Sequence, residues 1–119
     1  MYSVQLLDHF ENPRNPGELA DADATAEVEN PVCGDILRLT LKVAGGRIVA
    51  ARFKAKGCVP AMACGSAMTE LVEGRTFAEA RKLRQNDVTT AVGGVPQASG
   101  HAAQLALDAL SAALDKVKT

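Results

Sequence analysis

Ile36-Leu37-Arg38-Leu39-Thr40-Leu41-Lys42-Val43, then Gly45-Gly46, then Arg47-Ile48-Val49-Ala50-Ala51-Arg52-Phe53-Lys54-Ala55, is the most regular stretch of the chain. In its first run Leu37, Leu39, Leu41 and Val43 alternate with Ile36, Arg38, Thr40 and Lys42. That period of two belongs to a strand with one buried face. The returning run sets Val49, Ala51, Phe53 and Ala55 against Arg52 and Lys54. Between them two glycines tolerate the positive φ that primed hairpin turns require. The stretch reads as an antiparallel hairpin with one face covered.

Before the hairpin, Ala24 to Asn30 is short and weakly alternating, which reads as an edge strand. Tyr2 to Phe10 predicts a helix capped by Ser3, with Leu6, Leu7 and Phe10 on one face. Asn12-Pro13-Arg14-Asn15-Pro16-Gly17 then forbids its continuation. After Cys58 the period changes. Pro60 suits a first helical turn, Ala61 to Val72 continues it, and Gly74 is placed to end it. Thr76-Phe77-Ala78-Glu79 is a capping box opening a short helix to about Leu83. Asp87 caps one more turn before Gly93-Gly94, and a long helix runs from Gly100 to Lys116 with Leu107, Leu110, Leu114 and Val117 at helical spacing. Strands first and helices after predict an α+β fold: about three antiparallel strands, helices packed on one face, and a long C-terminal helix.

The 119 residues fit one domain spanning 1–119. Its core must be built from Ala, Val, Leu and Ile, because 47% of the chain is hydrophobic and only 3% aromatic. Thirteen basic and fourteen acidic side chains leave a formal charge of -1, which lacks the basic surplus of a nucleic-acid binder. No apolar run approaches the roughly 18–20 residues of a membrane span, so no membrane partner is expected. Without a secretory leader pattern the expected location is cytoplasmic. Three cysteines are too few and too odd in number for a disulfide framework, leaving packing, metal binding or reactivity.

Chemistry concentrates at the two ends of the hairpin. Cys33 and Asp35 flank Gly34 just before the first strand, and Cys58 follows the second. Antiparallel pairing brings those ends together, so Cys33 and Cys58 are expected to be neighbours across 24 residues of sequence separation. A carboxylate beside two thiols points to a metal more than to packing, since carboxylates are seldom buried without a partner. Cys58 also opens a helix, where free N–H groups and the macrodipole favour the thiolate. His101 begins the last helix and supplies imidazole, a common ligand of zinc and iron. Cys64 lies six residues past Cys58, a rotation of about 240° and a rise of about 9 Å, and reads as a buried inert thiol. Met62 and Met68 read as core filler, and His9 as structural or solvated.

Taken in order, Asp8-His9-Phe10-Glu11-Asn12-Pro13-Arg14-Asn15, Asn30-Pro31-Val32-Cys33-Gly34-Asp35, Ala51-Arg52-Phe53-Lys54 leading into Gly57-Cys58, then Thr69-Glu70 and Gly74, form a specific series. Over nearly its whole length the chain resembles the IscU/NifU N-terminal-type iron–sulfur cluster assembly scaffolds. The resemblance implies a compact α+β domain that assembles a [2Fe–2S] cluster, receives sulfur from a cysteine desulfurase and passes the product to acceptor proteins. It carries the first cluster cysteine to Cys33, the carboxylate to Asp35 and the second cysteine to Cys58. The family's third cysteine directly follows a histidine, and here that pair reads His101-Ala102. The family's chaperone-recognition stretch is also altered, reading Val95-Pro96-Gln97-Ala98-Ser99, so chaperone dependence is not implied.

Cys33, Asp35, Cys58 and His101 still make a four-ligand set for iron or a [2Fe–2S] cluster, and zinc accepts the same donors. The expected function is a non-enzymatic scaffold or carrier. A zinc-binding or adaptor paralogue that contacts the desulfurase without building clusters is the alternative. A third reading is a thiol that accepts persulfide sulfur at Cys58.

Overall fold

The computed structural model describes residues 2–31 and 33–117. Met1, Val32, Lys118 and Thr119 lie outside the described residues, Val32 within the Asn30–Asp35 turn. Helix α1 (Val4–Glu11) precedes strands β1 (Ala24–Glu29), β2 (Ile36–Ala44) and β3 (Arg47–Lys56). Helices α2 (Val59–Val72), α3 (Phe77–Arg81), α4 (Gln85–Ala91) and α5 (His101–Lys116) follow, with a 3₁₀ turn at Gln97–Ser99 before α5. The three strands form one antiparallel sheet in the order β1-β2-β3. Helix α2 packs on β3, α5 on β1 and β2, and α1 on α2. The expected α+β architecture is the observed one.

Leu37, Leu39 and Leu41 are fully buried toward the helices. The returning strand departs from strict alternation. Lys42 faces Ala50 but Val43 faces Ile48, so Val49 is the extra residue of a β-bulge. The bulge exchanges inside for outside in the first half of β3: Ile48 is fully buried and Val49 is 51% exposed. Val49 therefore leaves the buried set that alternation assigned to it, while Ala51 and Phe53 keep their places.

The outer edge of β3 is covered twice. Near the hairpin, Ile48 N–H donates to the Arg75 carbonyl at 2.9 Å and Gly74 N–H to the Ile48 carbonyl at 2.8 Å. Further along, Phe53 N–H donates to the Asn15 carbonyl at 3.0 Å and Gly17 N–H to the Phe53 carbonyl at 2.8 Å. The face of the sheet away from the helices is crossed by the chain leading to β1. There Leu19 N–H donates to Thr40 Oγ1 at 3.1 Å, and Glu18 meets Arg38 at 3.2 Å and Lys54 at 3.5 Å.

Helix α2 is buried on nearly all sides, and its small residues permit that. A Cβ at Gly65 would stand 3.0 Å from side-chain carbons of both Leu37 and Phe53. The helix is also bolted to the N-terminal segment. His9 Nδ1 lies 2.8 Å from Ser66 Oγ, which accepts the Arg14 N–H at 2.8 Å. Asn15 Nδ2 donates to Glu73 at 2.8 Å, and the Arg14 guanidinium meets Asp8 at 2.5 Å. The polar residues between Asp8 and Asn15 thus act as joinery between α1 and α2.

In α1 the buried pair is Leu6 and His9; of the expected face of Leu6, Leu7 and Phe10, Phe10 is half-buried and Leu7 exposed. Helix α5 turns its alanines inward along with Leu105, Leu110 and Leu114, and Leu107 is only half-buried. Met68 is fully buried and Met62 half-buried. The N-cap of α4 is Arg84, not Asp87; Asp87 caps from the first turn, accepting the Arg84 N–H at 2.8 Å.

Candidate metal centre

Ile36 opposite Lys56 is the last pair of the β2–β3 ladder, so residue 35 and residues 57–58 leave the sheet side by side. The β1–β2 connection closes tightly next to them. Gly34 N–H donates to the Asn30 carbonyl at 2.7 Å, and Asn30 N–H to the Asp35 carbonyl at 2.8 Å. Gly34 has φ 75° with open space around it, so the backbone conformation alone calls for glycine. This loop presents Cys33 to solvent. From the other side, α5 presents His101 at its first position.

Asp35, only 4% exposed, is the hub. Its Oδ1 accepts the Cys58 N–H at 3.1 Å, and its Oδ2 accepts the Cys58 thiol at 3.2 Å. The same Oδ2 is 3.5 Å from His101 Nε2, which is itself 3.5 Å from Cys33 Sγ. Ligand atoms of Cys33, Asp35 and His101 all lie within 4.8 Å of one another. Cys58, half-buried at the N-cap of α2, joins this trio through the carboxylate. One sulfur, one oxygen and one nitrogen lie together, donors suited to zinc or iron, and Cys58 stands outside that 4.8 Å group, tied to it by its bond to Asp35. An open groove of about 210 Å³, lined by Asn30, Pro31, Leu105 and Asp108 among others, reaches His101 from the surface.

Burial works to raise the Asp35 carboxyl pKa. The thiols of Cys58 and Cys33, the Cys58 N–H and His101 outweigh it and hold the group below its ordinary value. Cys58 goes the other way from the expectation of a favoured thiolate. Burial pushes its thiol up, the Asp35 carboxylate adds to that, and the Ala61 N–H at the helix start offsets them only in part. In the metal-free site Cys58 is therefore a thiol that donates to Asp35. Cys64 is fully buried and its thiol is pushed up to about 12 by burial, in accord with an inert role. Ala102, where the resemblance expects a thiol, is fully buried in the core.

Sequence reading gave Gly57 no role, yet it touches the centre most closely. A Cβ there would stand 2.1 Å from Asp35 Oδ1 and 2.6 Å from its Cγ. A glycine directly before a candidate ligand, at a strand-to-helix junction, is the signal that was available.

The NifU-like N-terminal domain model matches residues 1–119. The chain is 44% identical over 114 residues to iron–sulfur cluster assembly scaffold protein IscU 1 of Archaeoglobus fulgidus, covering 96% of this chain and 74% of that one. It is 40% identical over 122 residues to the iron–sulfur cluster assembly enzyme IscU of Drosophila melanogaster, covering 99% and 79%. A solved structure of a putative SUF-system cluster assembly scaffold from Fervidobacterium islandicum superposes with TM-score 0.81, covering 95% of this chain and 96% of that one. At 22% identity that likeness speaks for the fold.

Proposed function

Because the chain belongs to the IscU/NifU N-terminal family of iron–sulfur cluster assembly scaffolds, we propose that Cys33, Asp35, Cys58 and His101 hold the iron or [2Fe–2S] cargo of such a scaffold. The observation that carries this is the convergence on Asp35: Cys58 at 3.2 Å, His101 at 3.5 Å, and Cys33 Sγ 3.5 Å from the same imidazole. In this reading the chain works as a scaffold. Residues 1–119 are one scaffold domain in this reading, acting in the cytoplasm with a cysteine desulfurase as sulfur source and iron–sulfur proteins as acceptors.

The geometry suits cargo that must leave again. Cys33 and the groove beside His101 face solvent, whereas Asp35 and Cys58 form the inner wall. Cys58 must give up its proton to solvent to ligate, because the Asp35 carboxylate in contact with its sulfur is itself a proposed ligand. His101 Nε2 lies 3.5 Å from both Cys33 Sγ and Asp35 Oδ2, so one ring nitrogen links the exposed thiol to the buried carboxylate. Among the described residues no helix is long and apolar enough to cross a membrane.

Anaerobic supply of iron and sulfide is expected to give visible cluster absorption that Cys58→Ala removes. The buried Ala102 favours a second reading, in which the four residues hold zinc and the protein serves as an adaptor for the desulfurase. A wild-type protein that stays colourless under reconstitution and binds stoichiometric zinc would establish that reading instead.

A further inference from the structure

We propose that Gly57 is a positioning residue of the metal centre: the space left by its missing side chain is the seat of the Asp35 carboxylate. The inference rests on reading Cys33, Asp35, Cys58 and His101 as one site, and adds the residue that assembles it. Three observations meet here. The position of a Cβ on Gly57 falls 2.1 Å from Asp35 Oδ1, 2.6 Å from Cγ and 2.9 Å from Cβ, so the carboxylate and that methyl group exclude each other. The neighbouring Cys58 N–H and thiol are the groups that Asp35 grips, at 3.1 and 3.2 Å. Gly57 also holds φ at 151°, a value that side-chain-bearing residues rarely adopt.

The alternatives for Asp35 are few. It is 4% exposed and immediately precedes a strand whose first pair is Ile36 with Lys56, so its backbone cannot retreat without disturbing the ladder. A displaced carboxylate would give up Cys58 and move away from His101 together, because Oδ2 serves both. One methyl group at residue 57 would thus loosen two ligands without touching either. Loss of groups that orient metal ligands typically weakens metal affinity by about 10–100-fold.

The test compares wild type, Gly57→Ala, Asp35→Gly and the double variant, with cobalt(II) as the probe ion and amide hydrogen exchange at Cys58 as a metal-free readout. Gly57→Ala is expected to weaken cobalt(II) binding by about tenfold or more, to alter the thiolate-to-cobalt absorption and to speed exchange of the Cys58 N–H. In the Asp35→Gly background the same substitution should cost much less cobalt(II) affinity, since the collision is gone and only the backbone strain at φ 151° remains. If Gly57→Ala fails to fold and the double variant folds, the collision with Asp35 is established by rescue.

The proposal is overturned if Gly57→Ala keeps wild-type affinity and slow exchange. It is equally overturned if the substitution is as harmful without Asp35 as with it, or if both variants fail to fold, because backbone strain alone then accounts for the glycine. Failure of cluster reconstitution in the wild type would sink the scaffold reading and leave the exchange measurement intact.

Discussion

The three cysteines occupy three environments, and their reactivity should rank accordingly. Cys33 is exposed, Cys58 is half-buried with its thiol on Asp35, and Cys64 is fully buried. Iodoacetamide followed by mass spectrometry is expected to label Cys33 first, Cys58 more slowly, and Cys64 only after denaturation. A Cys58 labelled ahead of Cys33 would contradict the hydrogen-bonded thiol. Each thiolate ligand must lose a proton, and Cys58 holds its proton more tightly than an ordinary thiol, so zinc affinity should rise with pH. Competition titrations at two pH values check the slope. His9 provides a separate pH dependence. Burial, aided by Arg14, lowers its pKa from 6.5, against the opposing pull of Glu70 and Asp8. The unfolded chain therefore takes up the proton first, and stability falls as pH drops below about 6.5. Urea midpoints at pH 7.5 and 5.5 should differ in that direction, and His9→Gln should flatten the difference.

Ser3 does two jobs with one hydroxyl: it accepts the Leu6 N–H at 2.9 Å as N-cap of α1, and it donates to the Val92 carbonyl at the end of α4. Ser3→Ala removes both bonds and should cost about 1–2 kcal/mol, measured by chemical unfolding. In β3 the bulge makes a sharper prediction. Val49→Lys should change stability by no more than about 0.5 kcal/mol, whereas Ile48→Ala should cost about 2–5 kcal/mol. Strict alternation would reverse that order. The same elements show what the sequence could and could not reveal. Element types, the Ser3 cap, the Thr76 capping box and the pairing of the two hairpin ends follow from local periodicity and ladder geometry; the contact that forms there is Asp35 with Cys58, not the expected Cys33 with Cys58. The bulge does not, because one extra residue leaves the composition of the strand unchanged. His9 was unreadable for another reason: its burial depends on Ser66, 57 residues away. Gly57 was likewise silent, since its constraint is the volume of a carboxylate brought beside it by the fold. At the site, residue types pointed to the four proposed donors, and only the fold could show that Asp35 accepts the Cys58 thiol.

As a whole, the molecule is a sheet with helices on one face and a polypeptide crossing on the other, and the centre sits where both layers end. The donors come from the β1–β2 loop, the β3–α2 junction and the start of α5. A change that shifts α5 along the sheet would therefore move His101 relative to the other three. The segment before β1 has a wider meaning. Residues 15–17 occupy half of the open border of β3, and Leu19 screens Thr40. These residues are synthesised before the strand they protect, so they wait without a partner until β3 arrives. A protein cut after residue 20 would lose α1 as well, and would offer both the uncovered α2 and the bare Phe53 backbone to any neighbouring chain. Its defect would surface as concentration-dependent clumping.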